Sequence, residues 1–339
     1  MSGNSGTISI MNKTTYRLNI FAAVLFGLSM GLILGIPIPS HTGYVTPLSN
    51  GMGVVLVRQQ SPTVITIAFD QVVSYASSAS IPNNTDQYAT TLNSYGTALE
   101  ILNKKTTPGV MIMRIRGTEP PSSYGIRIGD IVKLTESQVK EIARDPLARQ
   151  RVLEKLFLDT ELIHKDGTSG MVSLPKEYFD NLVLQDISTI YLPKEYDINE
   201  NVLQARGNSD GLPLAIYFLD SMTKGELMPE YKVAATGALA SGSISDKESH
   251  PVIAIGSLDV KHAAVEREKY KVFFIPRANE EDIKVKGKSK VVIVENVESA
   301  IKELCKMTNH QDEVCKRANI KKIRPDSISS GYYNPASNY

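Results

Sequence analysis

Gly207-Asn208-Ser209-Asp210-Gly211-Leu212 runs straight into Pro213-Leu214-Ala215-Ile216-Tyr217-Phe218-Leu219-Asp220-Ser221-Met222. The second stretch is strongly apolar with a proline near its start, the pattern of a buried helix that begins just after Ser209. A helix start offers unpaired amides and a partial positive charge. Beside a hydroxyl nucleophile, such donors can hold the oxyanion of a tetrahedral intermediate. Gly207 and Gly211 let the backbone turn tightly, so that the hydroxyl is presented. Alone, Gly-x-Ser-x-Gly is a weak signal, because structural turns produce it freely.

Lys261 gives the serine its meaning. Serine is a poor nucleophile until a base takes its proton, and a lysine is such a base when burial keeps its amine neutral. A lone lysine on a helix is ordinarily a solvated charge. This one closes the block Ile255-Gly256-Ser257-Leu258-Asp259-Val260-Lys261, on a helix expected from Ser257 to Tyr270 with Ser257 as its cap. Between serine and lysine lies Ala235-Thr236-Gly237-Ala238-Leu239, and after them Phe273-Phe274-Ile275-Pro276-Arg277-Ala278-Asn279.

The order, spacing and flanks of these blocks resemble the proteolytic domain of the Lon family, over residues 180–305. The resemblance implies a serine–lysine dyad of Ser209 and Lys261, with Thr236 orienting the lysine; Gly207, Asp210 and Gly211 are the supporting residues of the serine loop. It implies a homo-oligomeric ring and neither cofactor nor metal. Three departures bear on activity. The family's Gly-Pro-Ser-Ala-Gly is Gly-Asn-Ser-Asp-Gly here, its Thr-Gly-Glu is Thr236-Gly237-Ala238, and its Pro-Ile-Gly-Gly is Ala254-Ile255-Gly256-Ser257. Asp210 beside the nucleophile would stabilise the ammonium form of Lys261, the wrong direction for a base.

A serine–histidine–aspartate arrangement is the competing chemistry, with His250 or His262 oriented by Asp246 or Asp259. His262 is rotated about 100° from Lys261 on a helix, so only one of the two faces the site. A packing or surface role is the expectation for the histidines.

Upstream, Val110 to Ile115 reads as a strand. Gly125-Ile126-Arg127-Ile128-Gly129-Asp130-Ile131 is a tight turn into another, and Asp145-Pro146 starts a helix. Thr160 to His164 and Met171 to Leu174 form a hairpin around Asp166-Gly167. This order resembles a bacterial PDZ domain, which takes extended peptides by strand addition; Pro108-Gly109-Val110 is the expected carboxylate loop. Ala89, Leu92, Tyr95, Leu99 and Leu102 recur at helical steps and form an amphipathic helix. Gly53 to Arg58 and Thr63 to Ala68 read as strands.

No Asp, Glu, Lys or Arg occurs between Arg17 and Arg58, and Leu18 to Ile38 is apolar apart from Asn19 and Ser29. About 20 such residues span a bilayer. A cleaved signal peptide is the alternative. Lys13 and Arg17 place the N-terminus in the cytoplasm and the remainder on the outer face. Cys305 and Cys315 are the two cysteines; they form a disulfide across a turn near Asn309, or stand unpaired near a helix end.

The expected fold class is therefore α+β: an N-terminal transmembrane helix, a PDZ-like β-rich domain and a Lon-type proteolytic α/β domain. The expected segments are a cytoplasmic 1–17, the span 18–38, a strand and helix segment 39–105, the PDZ-like 106–178, the proteolytic 179–306 and a polar tail 307–339. The 37 basic and 36 acidic residues leave no electrostatic footprint for nucleic acid. No Gly-x-x-x-x-Gly-Lys-Ser/Thr loop is present to bind a nucleotide, and no His/Cys cluster has metal-ligand spacing. The expected function is a membrane-anchored, ATP-independent serine endopeptidase acting on unfolded or extended segments of exported or membrane proteins. The alternatives are a catalytically inactive peptide-binding scaffold and a peptide-capturing adaptor.

Overall fold

The structure, a computed structural model, describes residues 41–48, 52–59, 85–116, 124–145, 148–165, 167–193, 196, 208–225, 227–240, 250–283, 287–308 and 314–316. Contacts divide the chain into two compact units, Met1–His41 with Gln59–Ala79, and Thr42–Arg58 with Ser80–Tyr339. Only the end residues His41 and Gln59 of the first unit are described. The second unit holds two five-stranded sheets and a two-stranded antiparallel pair, Ala238–Leu239 (β9) with Val252–Ile253 (β10).

The first sheet follows from apolar runs too continuous for a half-exposed strand. Val272–Pro276 (β11) is buried at every position, the signature of a strand covered on both faces. It lies between Val233–Ala235 (β8) and Lys290–Val294 (β12), parallel to both. Met52–Gln59 (β2) is parallel to β8 on its other side, and His41–Pro47 (β1) completes the order β1-β2-β8-β11-β12.

Alternate side chains of these strands enter different cores. Val233, Ala235, Val272 and Phe274 pack with Leu212, Leu214 and Phe218 of helix Gly211–Met222 (α5) and Val297, Ile301 and Leu304 of helix Val297–Thr308 (α7). Ala234, Phe273 and Ile275 pack with Leu258, Ala264 and Val265 of helix Leu258–Arg267 (α6). The sheet is thus sandwiched, with α6, which bears Lys261, on one face and α5, which follows Ser209, on the other.

The second sheet is antiparallel, ordered β6-β5-β4-β3-β7 from Gly109–Ile115 (β3), Ile131–Lys133 (β4), Thr160–Ile163 (β5), Ser169–Val172 (β6) and Leu182–Ile187 (β7). Val110 and Ile112 point into a core with helices Glu136–Arg144 (α2), Ala148–Leu158 (α3) and Lys176–Phe179 (α4). Met111 and Met113 point the other way, onto Ala89 and Leu92 of helix Thr85–Ile101 (α1). Further along α1, Tyr95, Ala98 and Ile101 join the core of the first sheet. One helix therefore serves both cores.

These findings correct the α+β expectation. The described chain is mixed α/β: parallel strands lie between helices in one sheet, and three helices cover one face of the other, so the segment expected to be β-rich and PDZ-like is as helical as it is extended. The reason is local. Thr135 accepts from Gln138 N while the Gln138 side chain accepts from Thr135 N, a capping box that starts α2 in a stretch with no strand pattern. The expected transmembrane segment 18–38 lies outside the described residues. No helix among the described residues is long and apolar enough to cross a membrane. The expected strand 63–68 and the tail beyond 316 also lie outside them.

The expected carboxylate loop at Pro108-Gly109-Val110 is closed. Gly109 and Val110 pair with Lys133 and Val132 on one side and with Ile187 and Asp186 on the other. Pro108 O accepts from Leu134 N, so β3 itself has no free edge for an added strand. The Gly125–Asp130 turn is structural. Gly129 adopts φ +94 and donates to Ile112 O at 2.7 Å, and buried Asp130 bonds Arg127 N and His164 Nδ1.

Cys305 on α7 is bonded to Cys315 across a sequence separation of 10. Both cysteines are buried in the first core beside Leu304 and Val314. Closing a loop of this size contributes about 2.5 kcal/mol by restricting the unfolded chain. Reduction is expected to lower the melting temperature by several degrees, read from thermal scans with and without dithiothreitol.

Candidate active site

Ser209 occupies the turn before α5 and is half-buried. Its loop is laced to the strand end after β8. Gly237 N and Thr236 Oγ1 both donate to Ser209 O, at 2.7 and 3.1 Å, and Leu212 N donates to Gly237 O at 2.9 Å. Thr236 N donates to Phe274 O, which fixes the threonine to β11. Gly211 must be glycine for this approach: a Cβ there would stand 2.8 Å from Leu239 N and 3.0 Å from Leu239 Cγ.

Lys261 reaches the same point from the first turn of α6. It is 3% exposed, and its Nζ donates to Thr236 Oγ1 at 3.1 Å. Thr236 thus joins the lysine amine to the backbone of the serine. Burial pulls the Lys261 amine down to about 8, with Asp210 acting in the opposite sense. Among the described residues no hydrogen bond joins Nζ to Ser209 Oγ; the amine donates to Thr236 Oγ1 instead. In a resting site such contacts are often long and tighten with substrate.

The loop before α6 is clamped. Asn279 accepts from Ile255 N at 2.8 Å and donates to Ile255 O at 2.9 Å. Ser257 precedes α6 with φ 56 and ψ 40 and makes no side-chain cap bond. The expected serine cap is therefore a left-handed residue, a conformation that costs about 1–2 kcal/mol for a residue with a Cβ. Ser257→Gly is expected to stabilise the fold by about 0.5–1 kcal/mol after glycine's entropy loss, as a rise in the urea midpoint. The helix runs to Arg267 rather than to Tyr270.

Asp210, the departure beside the serine, is turned inward. It is 1% exposed, and its Oδ2 accepts from Gln87 Nε2 of α1. Burial raises the Asp210 carboxyl to about 7, opposed by the Gln87 bond, its own backbone and Lys261. No described carboxylate forms an ion pair with Lys261. The helix start is also more occupied than its sequence implies. Gly211 N donates to Asn208 O, Leu212 N to Gly237 O and Leu214 N to Asp210 O, while Pro213 has no N–H. The amides of α5 itself are therefore spent. Ser209 N and Asp210 N have no carbonyl partner among the described residues.

The histidines lie elsewhere. His262 is buried and stacked on Phe273 at 6.0 Å, while Asp259 is exposed. His250 is enclosed between Glu298 and Glu100, with contacts of 2.7 and 2.9 Å. Asp246 and Gly207 lie outside the described residues. The structure thus brings Ser209, Asp210, Gly211, Thr236 and Lys261 together and adds Gln87 and Asn279. Asn279 falls within a quoted block; nothing near Gln87 in the sequence signals its role, because its partner is 123 positions away.

No family model matches the chain, and no curated protein matches it. The chemistry of the site rests on its residues.

Proposed function

We propose that the chain is an ATP-independent serine endopeptidase of the Lon-like serine–lysine kind. The observation that carries this reading is the buried Lys261 amine, bonded to Thr236 Oγ1, which in turn is bonded to the Ser209 carbonyl. A buried amine whose midpoint is lowered to about 8, beside a serine and with no described carboxylate in ion-pair contact, has the properties a general base needs.

In this mechanism Ser209 Oγ attacks the carbonyl carbon of a peptide bond as Lys261 takes the hydroxyl proton. The resulting ammonium returns that proton to the leaving amine, giving an ester between Ser209 and the acyl half of the substrate. Water, deprotonated by Lys261, then attacks the ester and regenerates the serine. With the α5 amides engaged and Asp210 N turned to its own carboxyl group, Ser209 N is the donor left for the oxyanion among the described residues. The substrates are unfolded or extended segments, since the chain carries no phosphate-binding loop to power unfolding.

Two observations favour a second reading, a polypeptide-binding protein without turnover: the buried Asp210 near the base and the missing Ser209–Lys261 hydrogen bond. Incubating the purified chain with casein in the absence of nucleotide separates the two. Fragments that accumulate with time and vanish in Ser209→Ala support the peptidase. Binding without fragments, by a folded chain, supports the second reading.

A further inference from the structure

Asp210 and Gln87 are each 1% exposed and meet where the start of α5 faces the first turn of α1. Gln87 Nε2 donates to Asp210 Oδ2. The other oxygen of each side chain, Gln87 Oε1 and Asp210 Oδ1, is buried without a partner among the described residues. An ionised carboxylate carries only acceptors, and an amide carbonyl is an acceptor too. Two enclosed acceptors on two side chains already in contact are both unsatisfied, which is costly. One proton on Asp210 Oδ1 removes both deficits: the acid O–H donates to Gln87 Oε1 while the amide N–H donates to Oδ2. An amide suits this position because it offers a donor and an acceptor on one planar group.

We propose that Gln87 and Asp210 form a reciprocal amide–acid pair, which holds Asp210 neutral and makes Gln87 a positioning residue for the Lys261 amine. The catalytic consequence rests on the serine–lysine reading; the pair itself does not. A carboxylate near a buried amine stabilises its ammonium form, and a neutral acid does not. The pair thereby compensates for the aspartate next to the nucleophile. Among the described residues, the groups facing Asp210 are the uncharged Gln87 from α1 and the Lys261 charge from α6; the neighbouring Asp86 is exposed. Burial acts in the same sense, raising the Asp210 carboxyl to about 7. The Gln87 N–H bond taken alone favours the carboxylate, and it is the acid O–H bond to Gln87 Oε1 that turns the pair toward the neutral form. Gln87 comes from α1, the helix shared by both cores, so packing of that helix bears directly on the charge state of the site.

The test uses two direct titrations of the full chain, neither of which needs turnover. Infrared spectra of carbon-13-aspartate-labelled protein, near pH 6, are expected to show a protonated aspartic acid band that disappears in Asp210→Asn. Lysine-labelled protein, with Lys261 assigned through Lys261→Met, gives the titration midpoint of its amine by nuclear magnetic resonance. Gln87→Glu places two carboxyls around one proton and leaves a negative charge in the pocket. That variant is expected to move the Lys261 midpoint upward by about one pH unit, a tenfold loss of neutral amine near neutrality. If Gln87→Glu does not fold, Gln87→Leu, of similar volume, is expected to shift the acid band to that of a carboxyl with no hydrogen bond. An ionised Asp210 near pH 6, or a Lys261 midpoint unmoved by Gln87→Glu, overturns the proposal. Casein hydrolysis decides the serine–lysine reading separately.

Discussion

Ser209→Ala and Lys261→Met are each expected to reduce peptide hydrolysis by at least about 10³-fold, since nucleophile and base act as a unit whose members are not additive. Methionine matches the length of the lysine stem and replaces the amine with an apolar end, so the core around Thr236 keeps its packing. Lys261→Arg is expected to be as inactive, because a guanidinium stays protonated and cannot accept the serine proton. The parent kcat/KM should rise with pH and level off above about 8, the value to which burial brings the Lys261 amine. The direction follows from the role: the base must be neutral, so each pH unit below its midpoint removes about nine-tenths of the competent enzyme. Rates on an unstructured fluorogenic peptide between pH 6 and 10 supply both measurements. Residual hydrolysis in Lys261→Met with the parent's pH profile would sink the dyad. A flat profile in the parent would assign the rise to another group.

The parts of the molecule that could be read from the chain are those whose cause is local. The apolar run after Ser209 gives α5, and the periodic Ala89, Leu92 and Tyr95 give α1. The start of α2 is present as Thr135 and Gln138 at capping-box spacing, a signal weaker than the strand patterns around it. What could not be read is pairing at a distance. Leu182–Ile187, in the segment expected to open the proteolytic part, completes the other sheet against β3. Its register is set by Gly109 to Ile115, and nothing within its own six residues names that partner.

The site divides in the same way. Ser209, Thr236 and Lys261 carry recognisable flanks, whereas Gln87 meets Asp210 through tertiary packing of α1. The turn amides were expected to be free because a helix start leaves them so. In the folded chain Gly237 O takes up Leu212 N, while Asn208 O and Asp210 O take up Gly211 N and Leu214 N. An aspartate that reads as a threat to the base becomes, once buried against Gln87, a group that burial itself discourages from ionising.

His250→Gln is expected to destabilise the chain by about 3–5 kcal/mol near neutral pH, because the histidine joins two carboxylates that would be left without their shared cation. Nδ1 meets Glu298 Oε1 of α7 at 2.7 Å, and Nε2 meets Glu100 Oε2 of α1 at 2.9 Å. The imidazolium therefore ties the helix shared by both cores to the helix that carries the disulfide. Burial alone would lower its affinity for the proton, but the two carboxylate bonds outweigh it and raise the ring from 6.5 to about 9. A raised folded value means that the stabilisation is complete below about 6.5 and is lost as pH rises through about 9, a change on the order of 3 kcal/mol. Lys261 acts oppositely over an overlapping range: its lowered value makes the fold gain stability as pH rises from about 8 toward 10.5. Asp210, raised by burial, removes stability between 3.8 and about 7. The pH curve of the parent alone is thus a sum of opposing slopes. The informative quantity is the difference in unfolding free energy between parent and His250→Gln, measured by urea titration at pH 6 and pH 10. That difference should shrink by about 3 kcal/mol between the two pH values, because Lys261 and Asp210 contribute equally to both proteins and cancel. A difference of the same size at both would mean that His250 acts by packing and that its two carboxylate bonds carry no net charge effect.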